Sequence, residues 1–512
     1  MNRIRFILLV GMLACGFAVS AQPYDELVRN SLWSVSDNVT GIRQDTVSVS
    51  YAELYAGYEG GEFRDTWQAV QSWNAGIRTA SVRHMERISF AGSFSFRQTE
   101  GYDMCGSMFI RPGSYPVDIL EFTPGRKTLQ TYRFDGGFSY DLVSKWRVGA
   151  MIDFESANIA KRKDLRHSNW LLDMTVAPGF MYHDGDFAVG ASAIFGKVSE
   201  TVEAEQIGTS ESSYYAFLDK GMMYGTYSVW SGSGVHLEES GVNGFPVNEL
   251  SYGLSAQVQY RDFFADFKYM QTSGKVGEKE YIWFRYPGNE MLLNMRYRIV
   301  GRLSGDHYFR LSAGRKALVM DETVLEKVSE NGIVTVIDHG HNRILSRQTW
   351  TLSPQYEFVH PVMEVSAGAD VEVCQSITSQ VYPFVFSQSL VETSAYLGLV
   401  FHMGRFDFGA KGTYGRGWLS EDEKILDTDT GILTSPFRLI DWYDRQMDYR
   451  TASRFRSELM ARYDFDRGVY LRLNMSSVKG WVHPRMLPGE REFVTDSDRN
   501  RLEAVFAVGL DF

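Results

Sequence analysis

Residues Leu502 to Phe512 read LEAVFAVGLDF. Leu502, Ala504, Phe506, Val508, Leu510 and Phe512 are all apolar, while Glu503, Val505, Ala507, Gly509 and Asp511 between them are small or charged. A period of two with one purely apolar face is a β-strand whose two sides meet different solvents. A soluble sandwich also contains such strands, so the decision rests on whether the chain repeats this one.

It does. Ile88, Phe90, Gly92, Phe94 and Phe96 alternate with Ser89, Ala91, Ser93 and Ser95. Trp146, Val148, Ala150, Ile152 and Phe154 oppose Arg147, Gly149 and Asp153, and the same dyad returns in 132–140, 170–182, 252–260, 363–373 and 455–465. These runs reach about 9–13 residues, the length that crosses a bilayer when tilted, whereas sandwich strands average about 5–6. Several carry an aromatic residue at each end of the apolar face, as in Trp146 to Phe154, Trp170 to Tyr182 and Tyr252 to Tyr260. Interfacial girdles require that placement and a sandwich core does not.

The connections are asymmetric as well. Short turns are expected near Met85, Ser144, Gly185, Asp262, Gly305, Pro361, Gly404 and Arg467, with longer polar segments between them. The fold class is therefore all-β: a single antiparallel transmembrane β-barrel of about 18 strands, with 14 or 16 as alternatives. The first strand is the weak point, because Val47 to Tyr58 alternates poorly, with Glu53 on the apolar side.

Composition agrees. The 512 residues include 28 Tyr, 33 Phe and 11 Trp, and Gly outnumbers Pro by 47 to 13. Mean hydropathy is -0.24. After the N-terminus no run approaches the roughly 20 apolar residues of a spanning helix, which leaves amphipathic strands as the membrane-crossing element. The net charge of -11 argues against a nucleic-acid partner.

At the N-terminus, basic Asn2-Arg3-Ile4-Arg5, apolar Phe6 to Val19 and small Val19-Ser20-Ala21 predict a signal peptide over 1–21, cleaved near Ala21. Lipidation of Cys15 is the alternative. Export then places the barrel, residues 46–512, in the outer membrane. Residues 22–45 are polar and irregular, with Leu27, Leu32 and Trp33 as apolar points; they read either as a plug or as a periplasmic segment. Cys105 and Cys374 are too few for a disulfide framework and allow one bridge or two separate thiols.

Chemistry is sought in the loops and on the inward faces. Thr99 to Lys127 is too apolar for a solvated loop, and Met104, Met108, Phe109, Ile110, Ile119, Leu120 and Phe122 need cover. Folding into the lumen as a constriction and packing on the outer rim both provide it. The segments 199–250 and 419–450 are acidic. Arg296, Arg298, Arg310, Arg456, Arg462 and Arg472 are further lumen candidates. Acidic residues share their faces, which favours ion-pair ladders; a charge-selective arginine wall is the functional alternative. His339 and His341 have strand-like metal spacing without a clear third ligand. No phosphate loop, dinucleotide fingerprint or hydrolase constellation is recognisable, so no catalytic residue, cofactor or metal is assigned and the chain reads as a non-enzyme.

Three resemblances follow from these residues. The final strand, ending on Phe512, resembles the C-terminal strand that the barrel assembly machinery reads, with Ala507 where that signal often has Gly. Asn38-Val39-Thr40-Gly41-Ile42 is similar to the Asn-Pro-Ala-Gly segment opening long-chain fatty-acid transporter barrels, with Pro and Ala missing. Ser50-Tyr51-Ala52-Glu53, Gly60-Gly61-Glu62-Phe63-Arg64, Asp103 to Phe109, Tyr115-Pro116-Val117-Asp118 and Phe122 to Gln130 together resemble an uncharacterised outer-membrane barrel family of Bacteroidota. That resemblance implies location and architecture and brings no activity or site residues.

Two functional expectations stand. One is a porin-like transport or channel role with the lumen constricted by the 99–127 loop. The other is a non-conducting accessory barrel partnering an outer-membrane complex such as a TonB-dependent receptor. Outer-membrane lipid and the assembly machinery are the remaining expected partners.

Overall fold

The computed structural model describes residues 24–44, 46–205, 215–223, 225–231, 244–279, 281–301, 305–330, 333–379, 384–425, 439–481 and 499–512. The expected signal peptide lies outside them. The chain enters through helix α1 (Tyr24–Asn30) and two 3-10 turns, Leu32–Val35 and Val39–Gln44. Seven strands follow: β1 (Val49–Gly61), β2 (Gln71–His84), β3 (Ile88–Ser107), β4 (Asp118–Val143), β5 (Trp146–Lys161), β6 (Arg166–Asp184) and β7 (Phe187–Glu205). A short hairpin, β8 (Tyr215–Asp219) and β9 (Tyr227–Ser231), interrupts them. Then come β10 (Phe245–Tyr260), β11 (Phe263–Glu278), β12 (Tyr281–Ile299), β13 (Asp306–Glu330), β14 (Ile333–His360), β15 (Met363–Ser379), β16 (Val385–Met403) and β17 (Phe406–Ile425). Helix α2 (Leu439–Thr451) precedes β18 (Ser453–Asp464), β19 (Val469–Trp481) and β20 (Arg499–Asp511).

Of the 20 strands, 18 close one antiparallel barrel: β7 pairs directly with β10, leaving β8 and β9 out of the wall, and β1 pairs with both β2 and β20. The seam is bonded to its end, with Ser50 and Phe512 exchanging backbone hydrogen bonds at 2.8 Å each way. Closure leaves the wall no unpaired edge, the condition for strands to cross a bilayer.

Alternation decides which side chains face lipid. On β20, Leu502, Phe506 and Val508 are exposed while Ala507 is buried, so the apolar face of the deciding stretch points outward. Outward residues elsewhere are also large and apolar: Trp170, Phe195, Leu254, Phe267, Leu397 and Leu459 are all exposed. Aromatic pairs bracket this band. Trp146–Tyr182 (5.1 Å between ring centroids) and Phe406–Tyr463 (4.5 Å) sit at the short-turn end, and Tyr58–Trp73 (4.7 Å) and Phe96–Tyr132 (4.8 Å) sit toward the other. An apolar band between aromatic girdles around a closed barrel is the outer-membrane arrangement. Among the described residues no helix is long and apolar enough to cross a membrane.

Two local readings of the sequence are corrected. Glu53 is not misplaced: Leu54 faces out, and Glu53 faces in, 2% exposed, accepting from Tyr470 Oη at 3.0 Å and pairing with Arg472 at 2.6 Å. The segment 99–127 is mostly strand, with β3 running to Ser107 and β4 starting at Asp118. Register shifts at Gly101/Met104 and Met104/Gly106, with Asp103 at φ 52 and Gly106 at φ 86, break the alternation there. Such bulges bend a strand. Beyond them β4 pairs through residues 118–121 with β8, and its pairing with β5 begins only at Lys127.

Candidate functional site in the lumen

Residues 24–44 form an inner belt at the short-turn end. Leu27 packs with Val49 and Val82 on β1 and β2. Two residues on, Arg29 Nη1 bonds Glu364 Oε1 on β15 at 2.7 Å and meets Glu357 on β14 at 3.4 Å. The chain then returns along the wall. Asn30 accepts from Tyr308 Oη (2.5 Å), Ser31 O and Ser34 Oγ from Arg296 (2.8 Å each), and Gln259 from Trp33 Nε1 (2.5 Å). Asp37 pairs with Lys268 at 3.1 Å. Asn38, 1% exposed, donates from Nδ2 to Gln257 Oε1 (2.8 Å) and to the carbonyls of Phe180 (3.0 Å) and Ala191 (3.3 Å). Arg43 ends the circuit on Asp141 (2.7 Å), Ser89 and the carbonyls of Met85 and Glu86. The belt therefore touches inward faces from β1 to β15. Gly41 is required by its packing, since a Cβ there would lie 2.2 Å from Trp33 Cγ.

At the opposite end lies an outer tier. Met108, Phe109, Tyr115, Val117 and Ile119 from the β3–β4 connection pack against Val202, Val247, Phe284, Tyr286, Met320 and Leu345. By alternation those are inward positions of β7, β10, β12, β13 and β14, so the bent hairpin leans across the lumen. A second apolar cluster joins Cys105, Leu120 and Phe122 to Phe217 and Met222 of the β8–β9 hairpin, Phe386 of β16, and Trp442, Tyr443 and Met447 of α2. Phe122 centres it, with the Phe217 and Trp442 rings both at 4.9 Å. Under the hairpin Glu121 is 1% exposed and shared by Lys161 (2.5 Å) and Lys127 (3.2 Å), both also buried. Asp118 and Asp219 are register partners in this tier. Burial pushes the Asp118 carboxyl up to about 8, with repulsion from Asp219 adding to it, and burial pushes Asp219 up to about 7.

Between belt and tier the inward side chains are polar and open to solvent. Arg78 and Arg133 are 45% and 52% exposed, and Lys411, Arg456, Glu458 and Glu503 are also in part exposed. These inward faces are solvent-accessible and carry charges of both signs.

The sequence candidates fall into separate places. Met108 and Phe109 lie in the first apolar cluster and Phe122 in the second, while Met104 is half-buried at the bulge. The six arginines do not converge. Arg296 holds the belt, Arg298 pairs with Asp262 at a short turn (3.0 Å), and Arg310 pairs with Glu357 (2.8 Å). Arg456 bridges Glu458 (3.0 Å) and Glu503 (3.3 Å), Arg462 bridges Asp464 (2.8 Å) and Asp511 (2.6 Å), and Arg472 holds Glu53. His339 sits on β14 and bonds Glu326 at 2.6 Å; among the described residues no group of three or more metal-ligating side chains forms. Cys105 and Cys374 are free thiols. Apart from Arg296, the belt's polar anchors escaped the sequence reading, as did the chamber's Arg78, Arg97 and Arg133. The alternation gave their inward facing, and only hairpin register brings them together.

Among curated proteins none matches the sequence. Similar solved structures include the copper transporter OprC, 8% identical over 91% of this chain and 83% of that one, with a TM-score of 0.41. The ferric preacinetobactin receptor BauA from Acinetobacter baumannii is 7% identical over 91% and 81%, TM-score 0.41. The outer membrane transporter YddB from Escherichia coli is 7% identical over 90% and 81%, TM-score 0.40. The model of the Family of unknown function (DUF6850) matches residues 39–512, and the chain belongs to that family.

Proposed function

We propose that this member of the DUF6850 family is a gated passage for a polar solute across the outer membrane, shut at one end by the belt and at the other by the outer tier. The observation that supports the reading is the set of charged, partly exposed inward side chains lying between two assemblies built from the chain's own segments. A barrel serving only as a scaffold has no need of half-exposed arginines and carboxylates at mid-lumen. Polar wall groups replace water around a solute in transit, and movable segments set access.

An accessory role is the second reading, favoured by the β13–β14 hairpin. β13 pairs with β12 only to Glu322 and β14 with β15 only from Leu345, so the residues between project beyond their neighbours and could present a surface to another outer-membrane complex, such as a TonB-dependent receptor.

Planar-bilayer conductance separates the two. The intact protein, a variant lacking residues 24–44, a variant with 108–117 replaced by a Gly-Ser linker, and the combination of both would be compared. The passage reading expects a silent parent and steady conductance from the combined variant. Silence from all four, with heat-modifiable gel mobility proving them folded, sinks it and leaves the accessory role.

A further inference from the structure

The chamber wall is not uniform. On β17 to β20 its cations are matched, with Arg456 bonded to Glu458 and Glu503, Arg454 to Glu392, and Lys411 near Glu458 at 3.6 Å. On β2, β3 and β4 the matching is incomplete: Arg133 has its own carboxylate in Asp153, Arg78 reaches only Glu53, and Arg97 has no ion pair among the described residues. Arg78 stands opposite Ser95, and Ser95 opposite Arg133. Arg97 stands opposite Gly76 and Thr131, one pleat further along. All three face inward by alternation with outward Phe94, Phe134 and Trp73. They form a triangle of guanidinium groups on three neighbouring strands, with Cβ spacings of about 7–10 Å that long side chains readily close.

Their local counter-charges are few. The carboxylate nearest Arg78 is Glu53, at 3.8 Å and already held by Arg472 and Tyr470. Arg133 pairs with Asp153 at 2.7 Å yet stays half exposed, and Asp135 is engaged by Ser93. Arg97 is exposed and has no ion pair among the described residues. Arg78 is also held in place: its guanidinium lies 4.3 Å over the Tyr55 ring. That ring occupies the space a side chain at Gly76 would need, since a Cβ there would be 2.6 Å from Tyr55 Oη. Like charges on adjacent inward faces repel, and planar guanidinium forks favour carboxylate and phosphate oxygens.

We propose that Arg78, Arg97 and Arg133 form a binding ledge in the chamber for a small oxyanionic solute bearing carboxylate or phosphate groups. The proposal rests on the passage reading for how such a solute arrives, but binding and passage are read by different measurements. Calorimetric titration at low salt would use citrate and inorganic phosphate, in the intact protein and in the 108–117 linker variant, so that a shut outer tier does not hide the site. Preference between the two probes tells carboxylate from phosphate recognition. At least one probe binds, affinity falls steeply with salt, and Arg97→Gln weakens binding tenfold or more. Lys411→Gln, on the matched wall, leaves it unchanged. Binding of neither probe in either preparation overturns the ledge, as does Arg97→Gln binding like its parent or Lys411→Gln losing as much. Anion binding together with silence in every bilayer variant would sink the passage and keep the ledge.

Discussion

Arg29 and Glu364 lie 335 positions apart in sequence and meet at 2.7 Å across the lumen. Helix α1 buries Leu27 on β1 and β2 and delivers the Arg29 guanidinium to β15, so this ion pair is the belt's charged anchor there, beside the bond from Tyr308 to Asn30. Both side chains are less than one-fifth exposed, where loss of one partner leaves the other charge poorly solvated.

Arg29→Ala should therefore release the near end of the belt while the barrel stays closed. A cost of about 2 kcal/mol is expected for so largely buried a pair. Limited proteolysis should show faster cleavage within 24–44 with unchanged heat-modifiable mobility. Cleavage as slow as in the parent would mean that Leu27 and Tyr24 hold the helix without it.

Asn38 is the belt's central pin, because its amide serves Gln257 and two wall carbonyls while its Oδ1 accepts from Thr40. Asn38→Asp presents a carboxylate to those carbonyls and should cost more than Asn38→Ala, which removes the bonds without adding a charge. The alanine change is expected to cost about 2–3 kcal/mol, from several buried bonds at about 1 kcal/mol each. Hydrogen exchange of the 36–44 amides reports the ranking, and equal protection in both variants would contradict it.

In the outer tier, Phe122→Ala removes the ring that both Phe217 and Trp442 touch. A cavity of that size costs about 3–4 kcal/mol, concentrated on the β8–β9 hairpin and α2. Exchange protection over 215–223 and 442–450 should fall while that of the wall strands holds. Uniform loss along the wall would show the tier to be part of the barrel's own stability.

The tier should also respond to pH through Asp118 and Asp219, which lie on the bent hairpin and on β8, outside the wall. Their folded values, about 8 and about 7, exceed the unfolded value near 3.9, so the fold favours the protonated carboxyl. Stability from this source is complete below about pH 4 and is lost as pH rises toward about 8. Protection factors of the 215–223 amides should be higher at pH 5 than at pH 9. Asp118→Asn with Asp219→Asn should flatten that difference, and a steeper one would contradict the assignment.

The wall was legible because its code is local: Trp146 to Phe154 or Leu502 to Phe512 state their lipid face within a dozen residues. The interior was not, because its contacts join single polar residues to partners set by register. Nothing in the neighbourhood of Asn38 names Gln257, and nothing near Glu53 names Arg472. The segment 99–127 misled for another reason. Its bulges at Met104 and Gly106 interrupt the dyad, and its apolar residues serve a tier that folds back over the lumen, so a strand read as a loop.

The belt leaves the lumen only a few residues before β1, the strand that seals the wall against β20. Its partners on β6, β10, β12 and β15 are all remote in sequence, so each contact closes a long loop at an entropic cost. On the passage reading, closing the wall and stopping its bore are therefore coupled, since the belt and the first strand are neighbours in the chain. On that reading a barrel whose seam is open is also an unstoppered one.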